Sequence, residues 1–194
     1  MERLLELYPQ WRGRFSLLQI AAPSRSALDE YQRFENDVRA LAARINERFG
    51  GKSYQPIILL VEHKSEEQVV AYYRAADICL VTSLHDGMNL VAKEFCAARD
   101  DEQGVLILSR FAGAARELHE ALIVNPYHTD EVAETLSRAL AMSPQEQRER
   151  MRSLRQMVRE FNVYRWAARM LLDAARLRRR ERVVAKLEEK RLAA

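Results

Sequence analysis

Apolar positions along this chain follow two alternating rhythms. Short apolar runs at residues 15–21, 56–61, 77–82, 105–108 and 122–124 predict buried strands, several of them rich in Ile, Val and Leu. Between them the apolar spacing lengthens to three and four. Tyr31, Phe34, Val38, Leu41, Ala42, Ile45 and Phe49 predict one face of an amphipathic helix over 29–49, stopped by Gly50-Gly51. Leu4, Leu5 and Leu7 line a short helix over 2–8 that Pro9 ends. Ser65-Glu66-Glu67-Gln68 has the form of a capping box, opening a helix that runs through Ala76. Further helices are expected from Asn89 to about Arg99, over 113–120, and at about 129–142, 144–160 and 163–190. Asn125-Pro126 and Ser143-Pro144 mark boundaries among the last of these.

Strands that alternate with helices predict an α/β fold, a Rossmann-like doubly wound parallel sheet followed by C-terminal helices. Such sheets bind ligands beyond the carboxyl ends of their strands. Three segments fall there: Pro23-Ser24-Arg25, the loop after Thr82, and the turn at Ser109–Gly113. We expect a Rossmann-like sheet domain over residues 1–142 and a helical segment with a basic tail, packing on it, over 143–194.

The loop after Thr82 carries the strongest chemistry. Leu84-His85-Asp86-Gly87-Met88-Asn89 joins a strand to a helix in which Leu90, Val91, Glu94 and Phe95 take helical spacing. Gly87 is expected to let the backbone turn or approach a ligand, and Asn89 to cap the helix. The first amides of a helix lack internal acceptors and, with the dipole behind them, suit a phosphate or diphosphate. Glu94 lies one turn beyond Leu90, roughly 6 Å along the axis. That step reaches from a diphosphate to the ribose of the same nucleotide. Asp86, before the helix, can accept from hydroxyls of a sugar on the far side.

Composition narrows the picture. The chain has 194 residues, 48% hydrophobic and 30% charged, which describes a globular protein with a core rather than a disordered one. No apolar run approaches the ~18 residues of a bilayer span, so no membrane association is expected, and the acidic, short start is not a signal peptide. Cys79 and Cys96 fall on apolar positions and read as buried thiols of a cytoplasmic protein. The formal charge of +3 is unevenly spread: residues 143–194 carry 15 Lys and Arg against 7 Asp and Glu, the rest 16 against 21. The tail has no interleaved aromatics of the kind that bind single strands, so it reads as a solvated helix face rather than a nucleic-acid surface. His63, His119 and His128 have no metal-ligand spacing, and no metal or cofactor is expected.

The ten residues His85-Asp86-Gly87-Met88-Asn89-Leu90-Val91-Ala92-Lys93-Glu94 resemble the donor-site signature of the trehalose-6-phosphate synthases, retaining glycosyltransferases of the two-domain GT-B fold. The resemblance continues through Gly104–Ala115 and Leu122–Tyr127, takes in Leu18–Arg25 and Tyr31-Gln32, and covers roughly residues 1 to 175. It implies the C-terminal, donor-binding half of a GT-B enzyme that moves glucose from UDP-glucose to glucose 6-phosphate. On that basis Gly87, Met88, Asn89, Leu90, Val91, Ala92, Lys93 and Glu94 bind UDP-glucose, with Asp86 the catalytic residue. Lys64 falls at a nucleotide-contacting position, and Arg25 matches the arginine that meets the phosphate of glucose 6-phosphate. His85 stands where many members have Arg, and Phe111-Ala112-Gly113-Ala114 is expected to pack helix on sheet. A related enzyme such as a glucosylglycerol-phosphate synthase, or a non-catalytic interaction module using the basic C-terminal helices, are the alternative readings.

The resemblance also implies something the chain lacks. In these enzymes the donor half opens with a strand and a basic loop that neutralises the diphosphate, and this sequence starts inside the helix that follows. The usual order 3-2-1-4-5-6 would put that strand at the centre of the sheet, between the strands at 15–21 and 77–82. Either the two sheet pieces close up, or another chain supplies a strand together with the N-terminal half, or the sequence is a gene fragment. The chain alone is expected to bind donor weakly and not to turn over.

Overall fold

The computed structural model describes residues 1–23 and 29–192. The described chain divides into two compact units, Met1–Leu154 and Arg155–Ala194. In the first, α1 (Glu2–Leu7) leads into a 3-10 turn at Pro9–Trp11, followed by β1 (Leu17–Ala21), α2 (Asp29–Phe49), β2 (Ile57–Val61) and α3 (Glu66–Ala75). There follow β3 (Ile78–Val81), α4 (Leu90–Ala98), β4 (Val105–Ser109), a 3-10 turn at Gly113–Arg116, β5 (Leu122–Val124) and α5 (Thr129–Leu140). Helix α6 (Pro144–Glu160) runs across the division between the units, and α7 (Val163–Leu192) belongs to the second.

All strand pairings are parallel, and the strands form two sheets. β1 pairs with β2, Leu17 beside Ile57 through Ala21 beside Val61. β3, β4 and β5 form the other in that order, with Ile78 beside Val105 and Ile107 beside Leu122. Among the described residues no ladder joins β1 to β3, the two strands on either side of the expected gap. The two pieces have not closed up.

Burial follows from this arrangement. β4, with a strand on each side, is buried along its whole length, as a central parallel strand covered on both faces should be. Its residues Val105 and Ile107 form a core with Leu122, Val124, Leu4, and Ala133, Leu136 and Ala139 of α5. β1 is apolar as well, yet Leu18 is exposed. The same holds at the start of α2. Ala42 and Ile45 are buried, but Tyr31, Phe34 and Leu41, expected on the same inward face, are exposed, Phe34 at 69%. The periodicity is right and the cover is missing: the apolar stripe is wider than what the described residues lay against it.

Local capping fits the pattern. The Ser65 hydroxyl accepts from the Gln68 amide while the Gln68 side chain accepts from the Ser65 amide, a complete capping box. Asn46 ties α2 to β2, donating to the Ile57 carbonyl and accepting from its amide at 2.8 Å each. His128 caps α5 through Nδ1, which accepts from the Glu131 amide. The helix expected over 113–120 is only the 3-10 turn, because the amides of Ala115 and Glu117 bond three residues back rather than four. In the second unit Asn162 caps α7, and Tyr164, Trp166, Met170, Leu171 and Leu177 on that helix are exposed.

Candidate donor site

The loop from Thr82 to Asn89 crosses from the end of β3 to the start of α4 and is held by its own polar groups. Asp86 accepts from the Met88 amide through Oδ1 and from the Asn89 side-chain amide through Oδ2, both at 3.0 Å. These donors keep the Asp86 carboxyl below its ordinary value, so it remains an anion. Asn89 Oδ1 in turn accepts from the Ala92 amide at 2.9 Å, the expected N-cap. Asn89 Nδ2 also reaches the Ser83 hydroxyl at 3.4 Å.

The left-handed residue of the loop is Asn89, at φ 73, and not Gly87. Asn tolerates that region because its short polar side chain bonds locally, as it does here. Gly87 has a different part to play. A Cβ on it would meet nothing within 4 Å, so the space in front of it is open.

A second segment braces the first. The Gly113 amide donates to the Asp86 carbonyl at 2.9 Å and the Ala114 amide to the Met88 carbonyl at 2.7 Å. The Asp86 amide donates to the Phe111 carbonyl, and Asp86 and Ala112 form an isolated parallel bridge. The stretch 111–114 therefore packs against the motif loop itself, where helix-on-sheet packing was expected. Gly113 is needed for the approach, since a Cβ there would lie 2.0 Å from the Gly87 carbonyl oxygen. Both segments leave the carboxyl ends of neighbouring strands, β3 and β4, where an open α/β sheet takes its ligand.

Beyond the cap, α4 begins at the surface. Leu90 is 59% and Val91 43% exposed, and among the described residues their amides have no acceptor. Ala92 is fully buried and its amide is taken by Asn89. Lys93 is bound at 2.6 Å to Glu117, at the end of the 3-10 turn. Glu94, one turn beyond Leu90, is exposed and accepts from the Tyr73 hydroxyl at 3.2 Å. Met88 is also exposed. Lys64 pairs with Glu62 at 2.7 Å and lies 5.9 Å from the Tyr72 ring, neither partner belonging to the motif. Arg25 falls outside the described residues.

Two contributors escaped the sequence reading. Phe111 and Tyr127 meet edge to face, ring centres 5.7 Å apart, beside the brace and well exposed. Tyr73 reaches the site from α3. Nothing in the local spacing of either pair marks it, since each contact spans separate elements. Among the described residues no group of three or more His, Cys, Asp or Glu is placed to hold a metal ion, and no helix is long and apolar enough to cross a membrane.

An open α/β sheet thus carries, beyond the carboxyl ends of β3 and β4, a strand-to-helix loop with an ionised carboxylate and a helix start whose first amides have no acceptor among the described residues. The chain belongs to glycosyltransferase family 20, whose profile matches residues 1–176. A trehalose-6-phosphate synthase of Klebsiella pneumoniae is 46% identical over 173 residues, 89% of this chain and 36% of its own length. A glucosylglycerol-phosphate synthase of Synechocystis is 40% identical over 89% of this chain and 35% of its own length. Among solved structures, the E. coli protein bound with UDP-2-fluoro glucose superposes with a TM-score of 0.85 at 43% identity, over 89% of this chain and 38% of that one. A UDP-forming trehalose-phosphate synthase of Burkholderia xenovorans, in complex with glucose-6-phosphate, gives 0.85 at 44% identity over the same shares. The chain thus spans little more than a third of the length of these relatives.

Proposed function

We propose that this chain is the donor-binding part of a retaining glucosyltransferase that moves glucose from UDP-glucose to glucose 6-phosphate, giving trehalose 6-phosphate. The observation that carries the reading is the open start of α4, where Leu90 and Val91 are exposed and their amides have no acceptor among the described residues, beside a loop braced by Gly113 and Ala114. There the diphosphate meets unpaired N–H groups and the positive end of the helix dipole. Glu94 receives the ribose hydroxyls one turn on. Asp86, ionised and fixed by two donors, directs its remaining lone pairs at hydroxyls of the transferred sugar. The protein supplies little covalent chemistry in this scheme: it orients the donor and stabilises the departing UDP electrostatically. Lys93, tied to Glu117, contributes positive charge behind the amides rather than a free ammonium group.

The partner is the polypeptide, in the same chain or a second one, that carries the other two thirds of the relatives' length. Its strand fills the break between β1 and β3. Cys79 and Cys96 form no disulfide among the described residues, and burial pushes the Cys79 thiol up to about 12, which suits the reducing cytoplasm.

Calorimetric titration with UDP and a coupled assay of UDP release test the proposal. The chain by itself should bind UDP weakly and release none from UDP-glucose and glucose 6-phosphate. Joined to the N-terminal portion of a relative it should release UDP and form trehalose 6-phosphate. Absence of any UDP binding overturns the reading, and so does turnover by the chain alone at ordinary enzyme rates. The Synechocystis relative supports a second acceptor, glycerol phosphate, and product analysis of the joined protein with each acceptor separates the two.

A further inference from the structure

Glu94 does not stand alone on α4. Tyr73, two residues from the end of α3, donates its hydroxyl to Glu94 Oε2 at 3.2 Å. Its ring is held edge-on against Phe95, centroids 6.2 Å apart at 78°, and Phe95 is fully buried. The α3 end that presents Tyr73 is itself fixed. The Arg99 guanidinium, 6% exposed, donates to the carbonyls of Tyr73 at 3.1 Å and Arg74 at 2.9 Å, and pairs with Asp101. Tyr73 is thus fixed through its ring and its own carbonyl, and its hydroxyl faces Glu94.

We propose that Tyr73 is a positioning residue for ribose recognition: it holds the Glu94 carboxylate in one rotamer, so that Oε1 and the remaining lone pair of Oε2 face the 2′ and 3′ hydroxyls of a bound nucleoside diphosphate. This rests on the reading of α4 as the donor site. A glutamate on an exposed helix face is free to turn about three torsions, and that freedom is lost when it binds. A donor fixed on a neighbouring helix removes part of the freedom beforehand, which strengthens binding without touching the ligand. A carboxylate has about four lone-pair directions, so one tyrosine leaves room for two ribose hydroxyls. The phenol is suited to the task. Burial first, and the negative charge of Glu94 next, hold its pKa well above the ordinary tyrosine value, so it remains a donor at any physiological pH.

The test compares two ligands on four versions of this chain. Wild type, Tyr73→Phe, Glu94→Gln and the double variant are titrated with UDP and with 2′,3′-dideoxy-UDP. Phe keeps the ring against Phe95, and thermal melts confirm that the fold is unchanged. Tyr73→Phe should weaken UDP about 3- to 10-fold, a fraction of one charge-assisted hydrogen bond, and leave dideoxy-UDP binding where it was. In the Glu94→Gln background the same change should add less than twofold, because the carboxylate it orients is gone. Equal weakening of both ligands would reveal a general structural role and overturn the proposal, as would no weakening of either. A wild-type chain that binds neither ligand removes the donor-site reading and this inference with it. A wild type that binds UDP but ignores Tyr73→Phe removes the inference alone.

Discussion

Gly113 and Gly87, 26 residues apart in sequence, come so close that a single methyl group on the first would overlap the carbonyl oxygen of the second at 2.0 Å. The contact joins the turn after β4 to the loop after β3, and it sets how far the Asp86–Asn89 loop stands from the sheet. Gly113→Ala must push back the backbone at Gly87 and Met88, with the hydrogen bonds that Asp86 and Met88 make to Gly113 and Ala114. Overpacking of this kind costs about 2 kcal/mol or more. Urea denaturation should show that loss, whereas Gly87→Ala, whose Cβ meets nothing within 4 Å, should leave stability within about 0.5 kcal/mol and weaken UDP binding instead.

Asn89 meets two requirements at once. It adopts φ 73 and caps the Ala92 amide. Asn89→Ala loses both and also takes a donor from Asp86, for about 2 kcal/mol in all. Asn89→Gly restores the backbone freedom but not the cap, so it should cost less than Asn89→Ala. Equal losses in paired denaturation curves would show that positive φ is not a constraint here.

The sequence was most readable where one residue's role is local. The capping box at Ser65, the Asn89 cap, and the strand-loop-helix order all follow from spacing within a few residues, and the structure has each of them. It was least readable where a role depends on contact between elements. Glycine is the residue expected to turn the loop or approach a ligand at Gly87, but the positive φ falls on Asn89, which is held there by its hydrogen bonds to Asp86 and Ala92. Phe111–Ala114 was read as packing, which is right in kind, but its partner is the motif loop, and no pattern within 111–114 says so. Nothing local distinguishes Tyr73 from any other aromatic residue on an amphipathic helix. Phe34 and Leu41 carry a true helical period and are still exposed, because a period names the apolar face and not what covers it.

Arg99 holds α3 and α4 in register through the carbonyls of Tyr73, Arg74 and Ala76, with its charge met by Asp101. Arg99→Met has a similar volume and leaves these carbonyls and a half-exposed carboxylate without their donor. The expected cost is about 3 kcal/mol. Because the Tyr73 carbonyl is one of the acceptors, the variant should also weaken UDP binding by roughly the factor seen for Tyr73→Phe. A stability loss with intact UDP affinity would show that Arg99 serves the fold alone.

Asp86 gives the loop a pH dependence of known sign. Its folded pKa lies below the ordinary carboxylate value, with the Met88 amide the largest cause and the Asn89 side chain next. A depressed carboxylate contributes stability that is whole above the unfolded pKa of about 3.9 and is lost as pH falls through the folded value. The amide resonance of Met88 should therefore be steady from pH 7 to about 5 and shift below about 4. In Asp86→Asn that shift should vanish. A Met88 resonance that moves near neutral pH would mean that another group controls the loop.

The break in the sheet can be read amide by amide. The Leu17 amide donates to the Pro56 carbonyl, and the Ala21 carbonyl accepts from the Glu62 amide, so odd-numbered residues of β1 turn their polar groups toward β2. Strand period two then aims the amides of Leu18 and Ile20 at the opposite edge. In β3 the Asp77 carbonyl accepts from the Val105 amide, so residues 77, 79 and 81 face β4 and the amides of Ile78 and Leu80 face the other way. Four named amides thus line the two edges between which no ladder forms among the described residues. Hydrogen exchange of the chain alone should find Leu18, Ile20, Ile78 and Leu80 on the order of a hundredfold faster than Ile107 and Leu108 in β4. Joined to the N-terminal portion of a relative, the same four should become protected, because a parallel strand running between β1 and β3 has an acceptor for each. If they are protected as strongly as β4 in the chain alone, the two sheets pair with each other in solution and no strand is awaited.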